Sequence, residues 1–273
     1  MNPLNNIAHR KEEKVLIDNS TKQKKKGPIL TSTSHLMSYL TVKNIQADLQ
    51  IQETKWPKYS EKELTDNSYD WLNDHYPAPT ADEKVRKIAV RIKIDSILDS
   101  MQNERIILRL VVRNSNIDNI PVFEELGYIF DYAKWASTKR HQYRMTCGSQ
   151  GDFLKRSLCM GYASWTAMDN TEYSFEDNQW PEPVILRFNG QEYKVFVRID
   201  MSIPKITPVI KGPTKCDATA FTEVETALPI ESTANQNWKN NVNRVLNELE
   251  DYYENYMIAK TGTEFSFIRT DSL

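Results

Sequence analysis

The segment Val184-Ile-Leu-Arg-Phe188, Asn189-Gly190, Gln191 to Ile199 constrains this chain more than any other stretch. Two runs rich in β-branched and aromatic residues flank an Asn-Gly pair, and Asn-Gly supplies the positive φ angles of a type I′ turn, so the segment reads as a β-hairpin. A hairpin requires an antiparallel strand pair. Elsewhere stretches of helical spacing alternate with strand-like runs, with no repeat or low-complexity tract. The class that satisfies both is α/β, an α+β sandwich with a mixed sheet. A length of 273 residues fits one large domain or two small ones.

The first 30 or so residues are polar and lysine-rich, with Lys22 and Lys24-Lys25-Lys26 ahead of Gly27-Pro28, and read as a flexible basic arm. Such an arm is either a solvated tail or a contact with nucleic acid or a partner chain. Residues 31–273 read as one domain. Leu30 to Gln52 suggests one or two short helices. Pro57 suits the first turn of a helix and the next proline is Pro77, so a helix of about five turns fits between them. Ala81 to Asn103 is charged and apolar in helical spacing and predicts another helix. Arg105 to Arg113 reads as a strand buried on both faces, and Asn114 to Asn119 as a polar turn. A helix is expected over Val122 to Ala136, a long exposed basic loop over Ser137 to Cys147, and helical spacing from Gly148 to Trp165. Further strands are expected at Lys205 to Ile210 and Thr219 to Glu225. A long helix from Gln236 to Met257 and a strand from Thr263 to Arg269 complete the reading.

Composition excludes several classes. No run approaches the roughly 18 apolar residues of a membrane span, and MNPLNNIAHRKEEK lacks the apolar core of a signal peptide, so the expectation is a cytoplasmic protein with no membrane contact. Cys147, Cys159 and Cys216 have no C-x-x-C spacing, which argues against a zinc cage or disulfide framework. His9, His35, His75 and His141 share no metal spacing. A net charge of -2 gives no overall drive toward nucleic acid, although it can hide a local patch. Only eight glycines occur, under half the average usage of about 7%.

In the helix after Pro57, Glu63, Asn67 and Asp70 are spaced by four and three residues and stack along one face. A carboxylate can take a proton from water, and an amide oxygen beside it can coordinate magnesium. Ser60-Glu-Lys-Glu63 also matches a capping box, in which Glu63 would only bond back to the helix start. Later, Thr146-Cys-Gly148-Ser149-Gln150-Gly151-Asp-Phe-Leu154-Lys155 opens another helix. Its glycines let backbone N–H groups approach an anion, and the helix adds its positive end.

Taken in order, these motifs make the chain resemble the GHKL (Bergerat-fold) ATPases, and within them the ATPase domain of topoisomerase VI B-subunit-like proteins. Lys62-Glu-Leu-Thr-Asp-Asn67-Ser-Tyr-Asp70 resembles the family's N-box. Phe130 to Lys139 is similar to the segment entering its ATP lid, Thr146 to Lys155 to its glycine box, and Lys215 to Thr222 to its later G-T-x-V strand. The resemblance implies a Bergerat fold, a mixed and mostly antiparallel sheet with helices on one face, binding ATP and Mg²⁺. It implies Glu63 as general base, Asn67 as the Mg²⁺ ligand and Asp70 as a residue orienting the metal shell. Gly148, Ser149, Gln150, Gly151 and Leu154 would cradle the phosphates, with Ser137, Thr138, Lys139 and Lys155 adding contacts or counter-charge. Thr219 would belong to the later strand.

The sequence departs from the family in two places. The adenine turn, usually D-x-G-x-G-I, is here Asn114-Ser-Asn-Ile-Asp118 with no glycine, so Asn114 or Asp118 would meet the base. The second domain whose lysine reaches the γ-phosphate is not evident, so that lysine is expected from a partner, or turnover is expected to be slow. The function implied is Mg²⁺-dependent ATP binding and slow hydrolysis, with lid closure controlling a homodimer or a partner subunit, and DNA reached through that partner. The alternatives are a non-catalytic interaction module with a degenerate adenine site and a DNA-binding module using the N-terminal lysines.

Overall fold

The computed structural model describes residues 39, 41–75, 86–98, 102, 104–115, 126, 129–130, 132, 153–169, 182–200, 205–230, 238–257 and 263–271. The basic arm, the helix expected over Val122 to Ala136 (but for a few isolated positions) and the loop from Ser137 to Cys147 lie outside them.

Helix α1 spans Val42–Leu49, and the Thr41 hydroxyl caps it by accepting from the Asn44 N–H at 3.2 Å. A single turn of 3₁₀-helix, Glu53–Lys55, leads into α2, Trp56–His75. Pro57 thus sits in the first turn, where its missing N–H costs nothing. Helix α3 spans Phe153–Asp169 and α4 spans Trp238–Asp251, continuing as a π-helical segment over Tyr252–Met257 rather than as one uninterrupted α-helix.

Among the described residues seven strands, β1 (Lys87–Leu98), β2 (Glu104–Ser115), β3 (Val184–Phe188), β4 (Gln191–Asp200), β5 (Lys205–Lys215), β6 (Phe221–Pro229) and β7 (Glu264–Asp271), are joined in the order β5-β4-β3-β6-β2-β1-β7. Among these described strands only β1 and β7 run parallel, and the other pairs are antiparallel. The β3–β4 hairpin forms as its turn chemistry demands, with Asn189 at φ 51° and Gly190 at φ 71°.

The helix expected over Ala81 to Asn103 is contradicted: its centre is β1. Ile88, Val90, Ile92 and Ile94 are buried while the residues between them are more exposed, a period of two. The intervening Lys and Arg residues can be read as the polar face of a helix, but isoleucine and valine at alternate positions fit a pleated strand better. Strand β2, at the centre of the sheet, buries Ile107, Leu108, Leu110, Val111 and Val112, so both of its faces are largely covered.

Two apolar clusters lie between the sheet and the helices. One joins Leu64 and Leu72 of α2, Phe153 of α3 and Leu246, Leu249 and Tyr253 to Ile88, Val90, Leu110 and Val112. The other joins Ile45, Trp56, Leu158 and Met160 to Val184, Leu186, Val195 and Val197. A smaller one, Ile107, Ala227 and Trp165, forms where β6 runs past its pairing with β3. The opposite sheet face carries cross-strand ion pairs: Arg109 with Asp95 and Glu182, Arg113 with Glu223, and Arg187 with Glu192, Glu223 and Glu225.

Candidate functional site

Helix α2 is wedged between the sheet and the other helices. Its residues Ser60, Glu61, Leu64, Thr65, Ser68 and Leu72 are buried, while Glu63 and Asn67 stay half-buried and Asp70 is buried at 3% exposure. Because α2 begins at Trp56, Ser60 lies one turn inside the helix and cannot be its N-cap. The capping-box role for Glu63 is therefore excluded, and Ser60 instead turns a buried hydroxyl toward the interior.

The position of α2 is set by a tyrosine from the far end of the chain. Tyr253, in the π-helical segment after α4, donates its hydroxyl proton to Asp66 Oδ1 at 2.6 Å, and Lys62 closes on the other carboxylate oxygen. The Tyr253 ring packs on Phe265 of β7 at 5.1 Å. A π-helical turn inserts one residue per turn and redirects the side chains beyond it. Here it coincides with the residue that ties β7 to the centre of α2.

Helix α3 meets α2 through Phe153, whose ring lies 5.7 Å from that of Tyr59 in an edge arrangement. Tyr59 and Glu63 are four residues apart, on one helix face. The start of α3, where the glycine-containing segment ends, is thereby held one turn from Glu63. Lys155, also in the first turn of α3, is buried at 1% exposure, so it is not a solvated surface lysine. Leu154 is half-buried against both main clusters, and Arg156 is held by Asp48 of α1 at 2.5 Å.

Asn114, near the end of β2, is 4% exposed and has the parity of Leu110 and Val112, which places it on the helix-covered side of the sheet. Across the β2–β6 pair it stands opposite Thr222. Thr219, expected in the later strand, instead lies in the turn before β6, where its N–H donates to the Asp217 carbonyl at 2.7 Å. It is exposed and packs near Gly190 of the hairpin turn, and the threonine beside Asn114 is Thr222. The sequence signal was present, since Thr222 ends the same stretch, but register cannot be counted through a turn. Asp118, Ser137, Thr138, Lys139, Gly148, Ser149, Gln150 and Gly151 lie outside the described residues.

No protein-family model matches this chain, and no curated protein matches it. Among the described residues no group of three or more His, Cys, Asp or Glu is arranged to hold a metal ion, and no helix is long and apolar enough to cross a membrane.

One acid that the sequence reading passed over stands out. Glu61 is fully buried and neither carboxylate oxygen has a hydrogen-bond partner among the described residues. Burial, reinforced by Glu250, pushes its carboxyl up to about 8, with Arg269 and Lys58 pulling the other way. Glu250 accepts from Arg269 Nε at 2.6 Å, so it belongs to this α2–α4–β7 contact and not to a fully solvated helix face.

Proposed function

We propose that the chain is a GHKL-type, Bergerat-fold domain that binds ATP with Mg²⁺ and hydrolyses it slowly. The single observation that carries the reading is the packing of Phe153 on Tyr59, which holds the first turn of α3, with its buried Lys155, one turn from Glu63 on α2. A negatively charged ligand favours a helix N-terminus supplemented by a buried ammonium. The half-buried Glu63 and Asn67 on one face of α2, with Asp70 a turn further on, supply an acceptor for a water proton and an amide oxygen suited to a hard cation.

In this reading Glu63 orients and deprotonates the attacking water. Asn67 would hold Mg²⁺ through its amide oxygen, and Asp70 would orient the metal's shell from the same helix face. Magnesium, when bound, neutralises charge on the phosphates. Lys155 and the N–H groups at the start of α3, with the segment from Gly148 to Gly151, hold the phosphates. Asn114, with Thr222 beside it, accepts from the exocyclic amine of adenine, and the lack of glycine in the following turn makes base selectivity weak. Nucleotide-dependent closure of the segment from Ser137 to Gly151 would control a second copy or a partner subunit. The test is ATP turnover against nucleotide binding in Glu63→Ala: hydrolysis should vanish while binding persists. Unchanged turnover would remove Glu63 from the mechanism.

A further inference from the structure

The two edges of the sheet are finished differently. Among the described residues, β5 bounds one edge and β7 the other, each paired on a single side. Proline has no N–H to donate and lysine keeps its ammonium in water, so both discourage a further strand from adding to an edge. Strand β5 carries Pro208 and Pro213, has Lys205, Lys211 and Lys215 exposed along it, and meets β4 through a break in register between Glu192 and Lys194. Strand β7 has none of these devices. Glu264–Asp271 contains neither proline nor lysine, and its register with β1 runs unbroken from Lys87 and Glu264 to Ile94 and Asp271.

Two charges of β7 are already answered within the chain: Glu264 pairs with Lys87 at 2.7 Å and Arg269 with Glu250 at 2.6 Å. Eight residues of strand present about 26 Å of outer edge. Alternation puts Phe265 and Phe267 against the Tyr253 ring on the helix side, and Ser266, Ile268 and Thr270 on the other side, where all three are exposed. Ile268 is 51% exposed, and Tyr252, whose ring adjoins that of Tyr253 at 5.2 Å, is 43% exposed. A single exposed apolar side chain is ordinary, but here one reaches solvent on each face beside an unprotected strand.

We propose that β7 pairs antiparallel with β7 of a second copy, joining the two sheets into one across a two-fold axis. An axis perpendicular to the sheet keeps the helices of both copies on one face and requires one residue of β7 to stand opposite itself. Centred on Ile268, the pairing opposes Ile268 to Ile268, Ser266 to Thr270 and Phe267 to Arg269 of the second copy. These are an apolar pair, a hydroxyl pair and a cation beside a ring, and no two like charges face each other. Centred on Phe267 or Ser266, the pairing would set the exposed Ile268 against Ser266 or Glu264 instead. An extended peptide from another protein would be selected by pockets for its alternate side chains, whereas Ser266 and Thr270 flank Ile268 on an open face. Self-pairing uses the β7 edge of both copies and leaves only the protected β5 edges, so assembly closes at two. The contact involves neither ATP nor Glu63 and is independent of the nucleotide reading above.

The experiment is sedimentation velocity of the full chain without nucleotide, from about 1 to about 100 μM. The expected result is a reversible monomer–dimer equilibrium within that range. Ile268→Lys sets two ammonium groups opposite each other and should weaken association at least about tenfold. Ile210→Lys, at the exposed isoleucine of β5, should leave it unchanged. Residues opposed across an antiparallel pair have Cα atoms about 4.5–5.5 Å apart, within reach of a disulfide. An oxidised equimolar mixture of Ser266→Cys and Thr270→Cys should therefore give an interchain link between these two positions, mapped by mass spectrometry, and neither variant should link to itself. This second test reads the interface if Ile268→Lys folds poorly. A monomer at every concentration would overturn the proposal and leave the edge to a segment of another protein. So would a dimer that Ile268→Lys leaves intact, a species larger than a dimer, or self-linkage of Ser266→Cys as strong as the mixed link.

Discussion

Asn114 and Thr222 stand opposite each other across the β2–β6 pair, with Asn114 turned to the buried side of the sheet. A carboxamide at that position can accept from adenine N6, and a threonine opposite can hold the amide in one orientation. Asn114→Leu should therefore weaken ATP binding by about tenfold, the value of one lost hydrogen bond at a buried site. Thr222→Val should cost less, and Thr219→Ala nothing, since Thr219 lies in an exposed turn. Nucleotide titrations on the three variants check the order. Equal losses at Thr219 and Thr222 would undo the assignment.

Glu61 gives a pH-dependent stability of defined sign. Its folded-state pKa of about 8 lies above the unfolded value near 4.5, so the folded state binds more protons between those limits. The contribution is complete below the unfolded pKa and is lost as pH rises through about 8, at up to about 1.4 kcal/mol per pH unit. Glu61→Gln removes the ionisation while keeping the shape. Denaturant unfolding from pH 5 to 9 should show wild-type stability falling with pH across that window and the variant falling less steeply. A variant that tracks the wild type throughout would contradict the role given to this carboxyl.

Tyr253 and Asp66 fix the orientation of α2. Tyr253→Phe keeps the ring against Phe265 but leaves Asp66 Oδ1, in a carboxylate side chain only 5% exposed, without this donor. The loss should be about 1.5–3 kcal/mol, the range for a hydrogen bond to a charged group. Equilibrium unfolding in urea would measure it, and a change below about 0.5 kcal/mol would show that Lys62 alone satisfies the carboxylate.

Parts of this structure were legible in the sequence for identifiable reasons. Pro57 and Pro77 bracket α2 as breakers do, and Asn189-Gly190 made the hairpin unambiguous because few residues adopt two positive φ angles in succession. Strand β1 was misread because Lys87, Arg91 and Lys93 among isoleucines satisfy both helical amphipathicity and strand alternation over a short window. Only the β2 and β7 partners decide between the two. Within α2 the sequence drew attention to Glu63, Asn67 and Asp70 and missed Glu61. A carboxylate among Lys58, Lys62 and Ser60 looks solvated until α4 and β7 are placed over it. Tyr253 falls within the long helix expected from Gln236 to Met257, but its bond to Asp66 joins positions 187 residues apart, which no local pattern encodes.

The central claim is that this chain binds ATP with Mg²⁺ at the α2–α3 junction. Isothermal titration calorimetry of the full chain with ATP and Mg²⁺ tests it most directly. The expected result is a saturable, one-to-one binding isotherm that depends on Mg²⁺ and whose Mg²⁺ dependence is lost in Asn67→Ala. The absence of binding heat at millimolar nucleotide, confirmed by equilibrium dialysis, would contradict it.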